Sequence, residues 1–390
     1  MHPRYPQNDE NGKLPLLILT HEFHPRKGGI ATFAEEMALA SSESGFQVEV
    51  WAPGGGGNNS EKPWPFTVRR LGMKGSQNLS CLFTLSKEIM SKRKHLRQST
   101  VYLPEPGPIS AMLYLQFFKA FLPGKLYLTF HGSEILKYHG KLHHRLLLKK
   151  LIEKAERIGV VSTFTRRLLV SRFPDAEHKT VLTPNALPAG FVGIDHSKGV
   201  DHRKVVILTV GRLHPRKGQN NILQALNLLP RDERATVECW IVGESRHDPY
   251  EREVRRLAEK CDFPVKMWGQ LDDDGLRWAY EQADIFAMTS INYKKSVEGF
   301  GLVYLEASAH GLPIVAHRVG GVAEAVLDKR TGLLVEPGNR KALADAFSAL
   351  ISDRRLRRQL GETGRKWVNQ KSWGASVDRL FGLRDAVMES

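Results

Sequence analysis

Residues 296–335 read SVEGFGLVYLEASAHGLPIVAHRVGGVAEAVLDKRTGLLV, and two short apolar runs in them, Pro313–Ala316 and Leu333–Val335, are separated by stretches with helical spacing. Runs of four residues are too brief for buried helices, so the alternation predicts strands of a parallel sheet joined by crossover helices. The same alternation extends backwards through Val205–Val210, Val237–Val242, Val265–Trp268 and Ile285–Met288. It pauses between Pro184 and Lys204, where Pro, Gly, Asp and His recur without a period, as in a linker. Before that pause it appears again, with strands expected at Leu14–Thr20, Gln47–Ala52, Val101–Leu103, Lys125–Phe130, Arg157–Ser162 and Thr180–Thr183. The fold class is therefore α/β, with two Rossmann-like domains. Residues 1–190 form the first and 191–371 the second, and a helical pattern in 372–390 is expected to cross back to the first.

The chain has 390 residues, 41% of them hydrophobic, which exceeds one ordinary core and suits two. Its longest apolar stretch, Ala111–Leu122, is too short for a membrane span and contains Gln116 and Lys119. The opening MHPRYPQNDENGK lacks the apolar centre of a secretory signal, so a cytoplasmic location is expected. Cys81, Cys239 and Cys261 are odd in number and widely spaced, as for reduced core cysteines. Gly54–Gly57 with Asn58, Asn59 and Ser60 reads as a flexible loop. Net charge is +15, and residues 51–154 alone hold 17 Lys/Arg against 5 Asp/Glu. That asymmetry favours an anionic partner.

Several residues carry chemistry. Glu298 and Glu306 flank Gly299 and Gly301, whose missing side chains let the backbone approach a ligand. A helix starting near Gly301 would offer free amides beside two carboxylates suited to sugar or ribose hydroxyls. The first strand of the second half runs into GRLHPRKG, in which Arg212 and Lys217 stand where ligands of such sheets bind, and a diphosphate is the natural guest. No Ser or Thr follows Lys217, so this is not a Walker loop. Gly28 and Gly29 open the first helix but do not match a dinucleotide fingerprint. Asp272 and Asp274 sit between a strand and a helix, where capping explains them better than metal binding. His143 and His144 lie in a Lys-rich helical segment without a carboxylate or Cys at ligand spacing.

Taken in order, GGI, HGSE, VVS, PNA, VGRL with KG, IVGE, EGFGLVYLEA, GLPIVA and GGVAE resemble the retaining GT-B glycosyltransferases. The likeness is closest to the large bacterial family (glycosyltransferase family four) with phosphatidylinositol mannoside mannosyltransferases, glycogen-synthase-like enzymes and lipopolysaccharide transferases. The resemblance implies two domains facing a central cleft and a nucleotide-diphosphate sugar, GDP-mannose or a UDP-sugar, as co-substrate, with no cofactor and no metal. It assigns Arg212 and Lys217 to the diphosphate, Glu306 to the ribose and Glu298 to the transferred sugar. The backbone of Gly299, Phe300, Gly301 and Leu302 would meet sugar and phosphate oxygens, and Gly28 and Gly29 would approach the diphosphate. His131 would lie beside the sugar, and Gln270 and Leu271 near the base. Catalytic roles fall to His131, Arg212, Lys217 and Glu298. A lipid-linked or envelope-polysaccharide acceptor is implied.

Two other readings compete. A nucleotide-sugar 2-epimerase shares the fold and differs in turning over donor without acceptor. A nucleic-acid-binding protein would use the basic charge, but the basic-aromatic alternation and finger spacing of such modules are missing, so no nucleic acid partner is expected. The cations concentrate in Leu85–Arg97 and Lys137–Lys154. The second is a candidate basic amphipathic helix able to lie on the anionic cytoplasmic face of an inner membrane. Alternatively, Leu146–Leu148 and Leu151 pack into the first domain while the lysines face water.

Overall fold

The computed structural model describes residues 15–54, 62–75, 78–191, 193, 204–244 and 248–383. The N-terminal stretch, the glycine-rich loop beyond Gly54, most of the linker and the end of the last helical pattern lie outside these residues. The chain divides into two compact units, one running to Ala189 and resuming at Ser372, the other Gly190–Lys371.

The first unit has seven parallel strands: β1 (Pro15–Leu19), β2 (Gln47–Pro53), β3 (Thr67–Leu71), β4 (Thr100–Leu103), β5 (Lys125–Phe130), β6 (Arg157–Val160) and β7 (Thr180–Leu182). Their order is β3-β2-β1-β4-β5-β6-β7, with Leu17 opposite Val101 at the centre. The order reverses between β1 and β4, which opens a crevice at their carboxyl ends. The second unit has six: β8 (Val205–Val210), β9 (Val237–Val242), β10 (Val265–Gly269), β11 (Ile285–Met288), β12 (Ile314–His317) and β13 (Gly332–Val335), in the order β10-β9-β8-β11-β12-β13. Its reversal falls between β8 and β11. Strands such as Ile285–Met288 are buried along their whole length, which is why they appear in the sequence as continuous apolar runs.

Two expectations need correction. β3, TVRRL, was not foreseen, because an edge strand that is only partly buried carries two arginines. Arg70 holds it by donating to the carbonyls of His24 (2.7 Å) and Pro53 (3.2 Å). Lys137–Lys154 is not one helix: it breaks at Gly140–Lys141 into Ser133–His139 and Leu142–Lys154, as glycine at a helix end allows. Leu85–Arg97 likewise spans two helices, Leu79–Ser91 and Arg93–Gln98, meeting at Lys92. Cys81 and Cys239 are buried, Cys261 is partly so, and all three are free thiols.

The helix Trp373–Phe381 belongs to the first unit. Trp373 is buried, meets Phe33 edge-on at 5.5 Å and donates its indole N–H to the Leu187 carbonyl at 2.8 Å. Phe381 packs against Phe46, Tyr102 and Tyr127. Trp373→Ala leaves both a cavity and an unsatisfied carbonyl, so equilibrium denaturation followed on the first unit should show a loss of about 3–5 kcal/mol.

Candidate active site

In the second unit the loops after β8 and β11 meet at the point where strand order reverses. The β8 loop makes a short 3-10 turn, Pro215–Lys217, ended by Gly218 in the left-handed region at φ 73°. A side chain at Gly218 would put its Cβ 2.1 Å from the Thr289 carbonyl oxygen, so glycine is required there. Thr289 donates its hydroxyl to the Gly218 carbonyl at 2.6 Å, and the Ile291 N–H reaches the Arg216 carbonyl at 2.8 Å. The two loops are thus stitched together by backbone.

Side chains complete the junction. One oxygen of Glu298 accepts from Lys217 Nζ at 2.7 Å, Arg216 Nη1 at 2.8 Å and the Ser290 hydroxyl at 3.2 Å. Glu298 itself is fixed from behind, where its carbonyl accepts the Gly321 N–H at 2.9 Å and leaves room only for glycine at position 320. Burial alone would raise the Glu298 carboxyl, but Lys217 and Arg216 outweigh it and hold the group at about 2. Burial lowers the Lys217 ammonium, Arg216 and Arg212 add to this, and Glu298 opposes it. The cluster holds two cations, Arg216 and Lys217, against one fully ionised carboxylate, so it keeps a positive surplus in a largely dry place. Such a surplus suits a polyanion.

Glu306 lies on the helix Leu302–Ala309, which is capped by Gly301, and accepts the Tyr280 hydroxyl at 2.8 Å. Burial raises its pKa, with Tyr280 and Lys217 opposing. It is therefore turned towards Tyr280, which stacks on His310 at 5.1 Å, rather than joined to the Glu298 cluster. Gly299, Phe300 and Leu302 are buried, so this segment offers a ligand mainly its backbone. Gln270 is exposed and Leu271 partly buried, directly after β10. Arg212 is exposed, and its carbonyl accepts from Gln219 at 3.1 Å. Of the two cations expected to serve the diphosphate, Lys217 is ion-paired with Glu298, and the second cation on Glu298 is Arg216 rather than Arg212. Arg216 and Ser290 were not singled out from the sequence, although Arg216 stands next to Lys217 in the same glycine-ended turn. Asp272 caps the helix Asp273–Gln282 by accepting the Gly275 N–H at 2.8 Å.

In the first unit Gly28 caps the helix Gly29–Glu43, following β1. His131 follows β5, and its Nε2 lies 2.8 Å from the Pro104 carbonyl, which can only accept, so Nε2 carries the proton. Its ring meets Phe33 edge-on at 4.8 Å. Glu134 accepts the N–H groups of His131 and Gly132. Glu105, wholly buried after β4 and unmarked in the sequence reading, accepts from the His21 N–H at 2.8 Å and the Gly107 N–H at 2.6 Å. Burial pushes its carboxyl up to about 8 against those two bonds. Only its position, between two prolines directly after a strand, hinted at this.

Two Rossmann-like units thus follow one another in the chain, the second with a buried cationic junction at its switch point. A Glycosyltransferase Family 4 model matches residues 27–189 and a Glycosyl transferases group 1 model matches residues 194–367. The chain is 28% identical over 387 residues to the GDP-mannose-dependent alpha-(1-6)-phosphatidylinositol monomannoside mannosyltransferase of Mycobacterium tuberculosis, covering 94% of this chain and 96% of that one. Among solved structures it matches sucrose-phosphate synthase from Thermosynechococcus elongatus with a TM-score of 0.76 at 22% identity, over 95% of this chain and 98% of that one. Anabaena Alr3699/HepE in complex with UDP and glucose matches with a TM-score of 0.73 at 17% identity, over 95% and 98%. The chain belongs to the GT-B glycosyltransferases, with the two modules of that family in order along it.

The Glu298 pKa has a consequence for stability. Its folded value of about 2 lies below the ordinary glutamate value of 4.5, so the stability it contributes is complete above pH 4.5 and fades as pH falls towards 2. Glu298→Gln leaves Lys217 and Arg216 buried without their counter-charge. Melting at pH 7 should show a loss of about 3–5 kcal/mol, and the gap from the native chain should narrow as the pH is lowered from 4.5.

Proposed function

We propose that the chain is a retaining, metal-independent hexosyltransferase that moves a sugar from a nucleotide-diphosphate sugar to a lipid-linked acceptor. The observation that carries this reading is the positive surplus held by Arg216 and Lys217 around Glu298, at the carboxyl ends of β8 and β11. As the bond between the anomeric carbon and the phosphate oxygen breaks, its electron pair leaves with the diphosphate. Cations fixed beforehand stabilise that charge without reorganising. The acceptor hydroxyl bonds to the anomeric carbon on the face the diphosphate leaves, and its proton passes to a donor phosphate oxygen.

Within this reading Lys217, with Arg212 at the exposed edge, serves the diphosphate, Glu298 the sugar, Glu306 the ribose and the backbone of Gly299–Leu302 the sugar and phosphate oxygens. Gln270 and Leu271 are assigned to the base. His131, held through Nε2–H by the Pro104 carbonyl, is assigned to a sugar hydroxyl through Nδ1, and Gly28 and Gly29 to the diphosphate. GDP-mannose is the first donor to test, because a relative spanning nearly the whole chain is named for it. The same relative's name supports a phosphoinositide-type acceptor. Among the described residues no helix is long and apolar enough to cross a membrane. A lipid acceptor is then met at the anionic cytoplasmic surface of a bilayer, to which residues 51–154 bring 17 Lys/Arg against 5 Asp/Glu.

Screening GDP-mannose and UDP-sugars by thermal stabilisation and hydrolysis tests the donor, since a bound ligand stabilises with the logarithm of its occupancy. Lys217→Ala and Arg212→Ala should each lower kcat by roughly two to three orders of magnitude. Arg212→Ala should do so at an unchanged melting temperature, because its side chain is exposed. Full turnover in both variants removes this donor site.

Activity should also survive EDTA, because side-chain cations and helix amides take the place of a metal. Loss on chelation with recovery on adding manganese or magnesium gives the opposite answer.

A further inference from the structure

Eight of the twelve most exposed large hydrophobic side chains among the described residues lie on three neighbouring elements of the first unit. These are the helix Leu79–Ser91, the helix Pro106–Leu115 with the turn that follows it, and the helix Leu142–Lys154; the middle element packs against the other two. The centre of the patch is the turn. Phe117 and Phe118 are 52% and 59% exposed, Tyr114 at the end of the preceding helix is exposed too, and Leu142 and Leu146 are exposed on the helix packed against it. Helix Leu142–Lys154 thus divides its apolar residues: Leu148, Leu151 and Ile152 enter the core, while Leu142 and Leu146 stay outside.

The turn is held firmly. Gln116 is buried and donates its amide to the carbonyls of Leu113 (2.8 Å) and Leu147 (2.9 Å), which ties the end of one helix to the other. Lys154 donates to the Gln116 carbonyl at 2.8 Å. Lys150 and Lys154 stand 5.2 and 5.8 Å from the centre of the Phe117 ring. Two exposed phenyl rings thus stand on a tied turn, with ammonium groups beside Phe117, Lys119 next to Phe118 in sequence, and Lys141 and Arg145 next to the exposed Leu142 and Leu146. An apolar patch of this kind on a water-soluble surface marks an interaction site. Aromatic rings at its tip and cations at its rim match a bilayer interface, where rings enter the boundary of the acyl chains and ammonium groups reach lipid phosphates.

We propose that the turn Tyr114–Phe121 is the element that enters an anionic bilayer, with Phe117 and Phe118 inserted and Lys150 and Lys154 on the lipid phosphates. The inference rests on the reading that the acceptor is met at a membrane, and it changes the inserting element. The inserted part is the aromatic turn, while the helix Leu142–Lys154 supplies charge from the side. A second copy of the chain and a nucleic acid are the alternative occupants of such a surface, and the experiment separates them.

The test uses the full chain with vesicles of phosphatidylcholine, with and without phosphatidylglycerol. The native chain should sediment with anionic vesicles at low salt and not with neutral ones. The double variant Phe117→Ser/Phe118→Ser should lower partitioning by roughly tenfold or more, since it removes the apolar area that is buried on insertion. Both positions are exposed, so its melting temperature and its stabilisation by GDP should stay unchanged. Leu228→Ser, an exposed apolar position in the second unit, should have no effect. If the double variant sediments as the native chain does, the inserting turn is wrong while the membrane reading stands. If the native chain stays in the supernatant, both fall. A dimer in solution that the double variant converts to monomer, or oligonucleotide binding that it abolishes, reassigns the surface and overturns the proposal.

Discussion

Glu298 stays ionised in its buried place only because cations hold it, and most of the site's geometry follows from that one requirement. Glu298 draws Lys217 and Arg216 from the loop after β8 and Ser290 from the loop after β11 to a single oxygen. The glycines on either side follow from the same closeness, since the Thr289 and Glu298 carbonyls occupy the space a side chain would need. The cations are thereby set in place by the protein rather than by a ligand. That preorganisation is what makes a positive site effective towards charge that develops only during reaction. Glu298 also moderates the site, because it cancels one of the two charges and prevents simple repulsion from opening the loops.

The first unit has the same topology and the opposite electrostatics. At the carboxyl ends of β1, β4 and β5 stand Glu105, Glu134, His21 and His131, and the glutamates are held by backbone N–H groups. Burial without an adjacent cation raises Glu105 to about 8, whereas Glu298, buried with two, falls to about 2. Two carboxyls at equivalent places in related sheets are thus driven in opposite directions by what lies within hydrogen-bonding reach. A junction of carboxyl and imidazole groups without a Lys or Arg in its hydrogen bonds suits hydroxyl groups, and on the proposed reading that is the side on which the acceptor is handled.

Much of this was legible in the chain, for identifiable reasons. Strands buried on both faces, such as Ile285–Met288, leave an unbroken apolar run, and the helix cap at Gly301 was marked by glycine. β3 was not legible, because an edge strand needs no continuous apolar face and TVRRL uses Arg70 to hold carbonyls and Arg69 to pair with Glu88. The motif pointed to Lys217 and Glu298 but not to which arginine would join them. Arg212 and Arg216 are alike in charge and close in sequence, and only the 3-10 turn decides that the second faces inward. Glu105 gave no periodic or motif signal, since its role is to bind backbone of loops 84 residues apart. The basic helix was half legible: spacing showed an apolar stripe, but not that Leu148 and Leu151 would be buried and Leu146 left outside.

The placement of Trp373–Phe381 in the first unit means that one folding body is written in two separated pieces of the chain. During synthesis the first piece emerges with the surfaces of Phe33, Phe46, Tyr102 and Tyr127 still uncovered, and the whole second unit must follow before the covering helix is made. The second unit is continuous, so all of its strands are made before the helix that completes the body preceding it. The first unit instead closes over contacts nearly two hundred residues apart, such as that of Trp373 with Leu187, and carries the entropy of a long loop closure that the second unit does not.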